Sequence, residues 1–167
     1  MKSDVRMCMS TRLRSNAGSA TIDAFQRRIP PSPRRGENRF PRCERLHYQR
    51  DFERCVKQGR CYRNQLLTLY AYWHNEPMRR VAFSISKRVG KPVMRNRIKR
   101  WLREAYRTRR WALHSGVDLL FIVHQACATA THEAIDTAME QLLWRAGIVD
   151  EGRLRNPGGA SKCYANC

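Results

Sequence analysis

The sequence predicts an α+β protein, a small mixed sheet packed with helices in an α-β sandwich. Apolar residues recur at helical spacing in three segments. Three short apolar or alternating runs read as strands. The two kinds interleave as α-β-β-α-β-α with no internal repeat, which suits one sheet covered by helices. The 167 residues allow one domain with a modest core and tails.

Residues 1–42 hold ten basic residues, the run Pro30-Pro31-Ser32-Pro33 and few large apolar side chains. Such a segment buries too little to offset chain entropy and is expected to be a disordered basic extension. A basic arm for RNA and a dispensable tail (Met7 and Met9 offer later starts) both fit it. Asp4, Asp23 and Glu37 argue against a transit peptide.

The domain is expected over 43–149. Tyr48, Phe52, Cys55 and Val56 have helical spacing, and Gly59 is a natural stop. Residues 66–73 read as a strand, followed by turn chemistry at Asn75-Glu76-Pro77. Val81, Phe83 and Ile85 alternate with Ala82, Ser84 and Ser86, a second strand expected to pair with the first as an antiparallel hairpin. A basic loop, 87–91, leads to Pro92 at the first turn of a helix running to about Arg110. Residues 118–124 form the third strand. Thr131 opens a helix lined by Ile135, Ala138, Met139 and Leu142 and closed by Gly147. Residues 150–167, with Asn156-Pro157-Gly158-Gly159, are expected to be a disordered tail.

Lys and Arg number 33 against 14 acids, a net charge of +19. A field of that size attracts polyanions. No stretch approaches the roughly 20 apolar residues of a spanning helix, and the N-terminus lacks the apolar centre of a secretory signal. The seven cysteines include no CxxC pair, so reduced thiols in a cytoplasmic protein are expected, with Cys163 and Cys167 in the tail.

The charge concentrates in "KPVMRNRIKRWLREAYRTRR". With Ile98 at zero and about 100° per residue, Met94, Trp101, Leu102 and Ala105 fall within roughly 60° and form a core stripe. Asn96, Lys99, Arg100, Arg103, Arg107 and Arg110 cluster opposite, Arg97 flanks them, and Arg95 lies at the stripe's edge. From Lys87 to Arg110 there are eleven basic residues and one acid, Glu104. Like charges stack at i,i+4, as in Lys99–Arg103 and Arg103–Arg107, each pair costing a few tenths of a kcal/mol. A phosphate backbone offsets that cost through bidentate guanidinium contacts and counterion release. Charge by itself does not separate RNA from DNA.

"RNRIKRWLRE", residues 95–104, resembles the signature helix of the bacterial ribonuclease P protein subunit. "DFERCVKQGR" and "VAFSISKRVGKPVMRNRIKR" are similar to that family's first helix and its strand–loop–helix segment. The resemblance spans about 45–149. It implies a protein that binds a catalytic RNA, the two together removing the 5′ leader of precursor tRNA as an endoribonuclease. The RNA is expected to supply the active site and most of the Mg²⁺ binding, so no catalytic or metal residue is assigned here. It further implies no obligate protein partner and no membrane.

By the same resemblance, Lys87, Arg88, Lys91, Arg95, Asn96, Arg97, Lys99, Arg100, Arg103 and Arg107 face RNA. Phe52, Val56 and Tyr70 line a cleft for the single-stranded leader, where aromatics stack on nucleotides. Val56 stands where many members carry a second Phe. The family also implies a left-handed βαβ crossover against the usual right-handed preference. Two rivals compete: a general RNA-binding module, and a DNA reader, which would need a compact helical unit or dimer. A protein-only nuclease is the least favoured reading, for want of acidic metal ligands in this chain. His47, His74, His114, His124 and His132 are scattered and suit surface or core roles.

Overall fold

A computed structural model describes Ile29 and residues 40–155. The expectations for 1–28, 30–39 and 156–167 lie outside the described residues. The elements are α1 (Gln49–Gln58), β1 (Arg60–Arg63), β2 (Leu67–Trp73), β3 (Arg79–Ile85), α2 (Pro92–Arg109), β4 (Val117–Val123), α3 (His132–Arg145) and α4 (Glu151–Arg155).

The α+β class stands, with two elements more than expected. β1 is short and polar, RCYR, so it has no periodicity to detect. α4 follows Asp150, whose Oδ1 accepts from the Arg153 N–H at 3.2 Å, and Leu154 packs on the core. The core also reaches back to Phe40 and the buried Ile29. Folded structure therefore exceeds the expected 43–149 span at both ends.

The antiparallel hairpin is corrected. The sheet order is β1-β2-β4-β3, so β4 lies between the two strands expected to pair. β2 pairs with β4 antiparallel, and β3 pairs with β4 parallel in register Val81↔Leu119 and Phe83↔Phe121. The reason is burial. "VDLLFIV" is apolar on both faces and belongs at the sheet centre, where six of its seven residues are buried. The parallel β3–β4 pair requires a crossover, and α2 is that crossover.

Strand alternation separates two cores. Leu67, Leu69, Ala71, Val81, Leu119, Phe121 and Val123 face α2 and α3 together with Ile98, Leu102, Ile135, Met139 and Leu142. Ala82 and Leu120 face the other way and pack with Leu46 and Cys55 under α1. Burial pushes the Cys55 thiol up to about 12 and the Cys127 thiol to about 11, so both stay protonated. Residues 44–46 run along the outer edge of β3, with Leu46 N–H donating to Val81 O and Val81 N–H to Glu44 O. This covers an otherwise open strand edge.

Gly59 does end α1, though not through a left-handed turn, since its φ is −73°. A Cβ there would stand 2.3 Å from the Cys55 carbonyl oxygen, so glycine is required by close approach. Gly147 closes α3 at φ 63°, a conformation that favours glycine.

Candidate nucleic-acid interface

α2 begins where sequence reasoning placed it, with Pro92 at the first position. Ile98, Leu102 and Ala105 are buried and hold one face of the helix to the sheet and α3. Ahead of it, Val89 is buried within the turn Lys87–Val89 and anchors it. Ser86 Oγ accepts from the Arg88 N–H at 3.3 Å. Lys87, Arg88 and Lys91 are exposed around that anchor, and Asn96, Arg97, Lys99 and Arg100 are exposed along the helix.

Arg95 and Arg103 are half-buried, and no described acceptor takes the buried Nε–H of either. Arg107 is neutralised in part by Glu104, one turn back, through Nε at 3.0 Å and a second contact from Nη2. The predicted basic residues thus share one helix and its lead-in loop, with the exposed, unneutralised part toward the N-terminal half.

Two arginines near the end of α2 belong to the interior. Arg110 was expected on the exposed basic face. It instead lies past the helix end, with Nη1 3.0 Å from Oε1 of the fully buried Glu44. Arg109 is buried against α3, ion-paired to Asp136 and to Glu140, the latter at 3.3 Å. An angular signal existed for Arg109, which falls about 20° from Ile98 at helical spacing. Trp101, expected in the core stripe, is only half-buried.

On the opposite sheet face, Phe52 of α1 and Tyr70 of β2 are both half-buried and pack on the same small cluster. Val56, one turn after Phe52, is 48 % exposed. The three expected cleft residues therefore sit on α1 and the sheet face it covers. Sequence reasoning missed Tyr72 and Ile122, which pack on the same cluster. Strand alternation would have found Tyr72, two residues beyond Tyr70. The Arg54 guanidinium lies 5.7 Å from the Tyr72 ring centroid.

α1 is held over this face by charge. Arg80 bridges Asp118 on the neighbouring strand and Asp51 on α1, the latter at 3.3 Å. At the far end of the face, Thr68 Oγ1 and His124 Nε2 are 2.7 Å apart, and His124 Nδ1 is 3.1 Å from Gln65 O. The carbonyl requires Nδ1 to carry a proton, and the threonine hydroxyl, able to donate or accept, completes the contact at Nε2.

No three His, Cys, Asp or Glu side chains come together to hold a metal among the described residues. None of the described helices is long and apolar enough to cross a membrane.

These features define a small, strongly basic α+β protein that displays a run of unneutralised cations on one crossover helix and leaves partly exposed apolar and aromatic side chains beside α1 on the far face of its sheet. The chain belongs to the Ribonuclease P family, whose model matches residues 40–147. The ribonuclease P protein component of Alkaliphilus oremlandii is 33 % identical over 106 residues, covering 64 % of this chain and 93 % of that protein. The one from Clostridium novyi is 35 % identical over 107 residues, covering 63 % and 95 %. A solved structure of the Staphylococcus aureus RNase P protein is 28 % identical with a TM-score of 0.60, covering 64 % of this chain and 97 % of that one. The Thermotoga maritima RNase P protein, at 24 % identity and TM-score 0.56, shares the fold over 61 % of this chain and 96 % of its own.

Proposed function

We propose that this chain is the protein subunit of a ribonuclease P ribonucleoprotein. It binds a catalytic RNA through α2 and the 5′ leader of precursor tRNA through the α1–sheet cleft. The assembly then hydrolyses one phosphodiester to leave the mature tRNA 5′ end.

The observation that carries this reading is the division of α2 into two faces. One is buried through Ile98, Leu102 and Ala105. The other exposes Arg97, Lys99 and Arg100, with Lys87, Arg88 and Lys91 leading in, and among the described residues none of these cations is ion-paired. Unneutralised guanidinium and ammonium groups on a rigid element suit phosphate oxygens. The family membership supports a ribonuclease P RNA as the partner.

In this proposal Mg²⁺ belongs mainly to the RNA, and the protein contributes cation density and leader contacts. The setting is cytoplasmic.

The test is reconstitution with a bacterial ribonuclease P RNA and precursor tRNA at low Mg²⁺. The protein should lower the Mg²⁺ concentration needed for cleavage at the mature 5′ end and should cut nothing by itself. RNA-free protein that produced that end, or protein without effect on the RNA's Mg²⁺ requirement, would overturn the reading.

A further inference from the structure

Trp101 poses a question the proposed function does not answer. It lies on the core side of α2, where an aliphatic side chain would complete the apolar stripe, yet it is half-buried and reaches the surface. The Arg97 guanidinium lies 4.5 Å from its ring centroid. The His132 ring meets the indole edge-on at 5.7 Å and 69°. These groups border a recess of about 370 Å³ between α2 and the start of α3, walled also by Met94, Thr129 and Thr131.

We propose that this recess binds one unpaired nucleotide of the RNA, its base stacked on the outer plane of Arg97. The proposal rests on the reading of α2 as the RNA face and adds a distinct ligand chemistry to it.

The Arg97 guanidinium carbon, 4.5 Å from the indole centroid, is within cation–π range of Trp101, and bases in single-stranded RNA stack on arginine planes as they do on aromatics. Trp101 thus removes rotamer freedom from Arg97 before any ligand arrives. The polar wall supplies hydrogen bonding. Thr131 Oγ1 accepts from the Ala134 N–H at 3.2 Å, which leaves its own O–H to donate outward. The volume lies at the low end of the ~300–1,000 Å³ typical of small-molecule sites, right for a single nucleotide. The recess adjoins the basic face: Arg97 and Trp101 also line a second hollow with Asn96, Lys99 and Arg100, where a phosphate next to the bound nucleotide would lie. That surrounding positive charge selects a nucleotide over a peptide.

The experiment uses the full chain and a bacterial ribonuclease P RNA. Arg97→Lys keeps the charge and removes the plane. Trp101→Leu keeps apolar packing and removes the platform. Arg100→Ala serves as the comparison. Each variant is measured for affinity against salt and for base-resolved chemical probing of the bound RNA.

Arg97→Lys and Trp101→Leu should each weaken binding by about fivefold to a hundredfold, the usual range for one stacked base, with the salt slope unchanged. One unpaired base protected by the wild type should become reactive again in both. Arg97 is exposed, so the lysine variant keeps the proposal testable if Trp101→Leu folds poorly. Wild-type affinity and an unchanged probing pattern for Arg97→Lys would overturn the nucleotide site. If Arg100→Ala still lowers the salt slope in that case, only this inference fails. If Arg100→Ala is also silent, the RNA-face reading fails with it.

Discussion

Arg80 and Asp118 face each other across the parallel β3–β4 pair and are joined by two hydrogen bonds, Nε to Oδ1 at 2.8 Å and Nη2 to Oδ2 at 2.7 Å. Asp118 is fully buried and also lies 3.3 Å from His74 Nε2. The Asp118 hydrogen bond, first among its partners, raises the Arg80 pKa and keeps the guanidinium charged. The same guanidinium reaches Asp51, so one side chain ties the sheet register to the placement of α1.

Arg80→Met should therefore act on both stability and the cleft. Removing Arg80 leaves the fully buried Asp118 with the His74 contact alone, which should cost up to about 3 kcal/mol. α1 also loses its charged tie, so under the proposed function affinity for leader-containing tRNA should fall more than affinity for leaderless tRNA. Chemical denaturation and separate binding curves for leader-containing and leaderless tRNA check this. Equal loss for both substrates would detach α1 placement from leader binding.

The two faces of α2 should fail differently. Replacing Lys99 and Arg100 with Ala removes two exposed charges and little packing, so stability should move by no more than about 0.5 kcal/mol. RNA affinity should fall and the salt slope shrink by about one unit per lost phosphate contact. Ile98→Ala, at a fully buried site, should cost about 2–5 kcal/mol and leave the slope of the surviving folded protein intact. Denaturation midpoints and affinity against salt separate the cases. A wild-type slope in the double variant would make this face ordinary solvated surface.

Ile29 is 4 % exposed, and its N–H donates to Glu140 Oε1. Glu140 Oε2 in turn accepts from Arg109 at 3.3 Å. The sequence reading places residues 1–42 outside the folded domain. The structure predicts a penalty instead. Ile29→Ala should cost on the order of 2 kcal/mol, and a chain beginning at Phe40 should melt below the full chain. Identical thermal midpoints would show that the Ile29 contact adds nothing.

Glu44 gives the stability a pH dependence. Burial, partly offset by Arg110, Arg79 and a Tyr106 hydrogen bond, raises its pKa above the ordinary 4.5. The folded protein then binds a proton over a window where the unfolded chain has released it, so stability falls as pH rises through that window above 4.5. Glu44→Gln cannot ionise and should flatten this part of the curve. Urea midpoints measured across the acid-to-neutral range test it. A variant whose curve keeps the wild-type decline would move the titration elsewhere.

Local pattern made much of the fold legible. Pro92 and the Ile98–Leu102–Ala105 spacing determined α2 and its buried face, because helical periodicity is a property of neighbours along the chain. The same holds for Thr131, whose Oγ1 caps α3 as expected. The basic residues of 87–107 could be gathered into one candidate face for that reason, and the family resemblance rested on that contiguous pattern.

The sequence by itself thus determined the α+β class, most of the elements and the two-faced helix, all properties of local spacing. Tertiary structure alone decided what depends on distant partners. β4 enters between β2 and β3 because its two apolar faces are buried best at the centre, which no turn signal near Asn75 could reveal. Arg110 looks like a further member of the basic face until Glu44 is brought beside it, and the helical angle that turns Arg109 inward does not name its partners Asp136 and Glu140, which come from α3. The physical reason is the same for each. A charge left unpaired in the interior is prohibitive, and whether its partner is present is settled only when segments far apart in the chain are packed together.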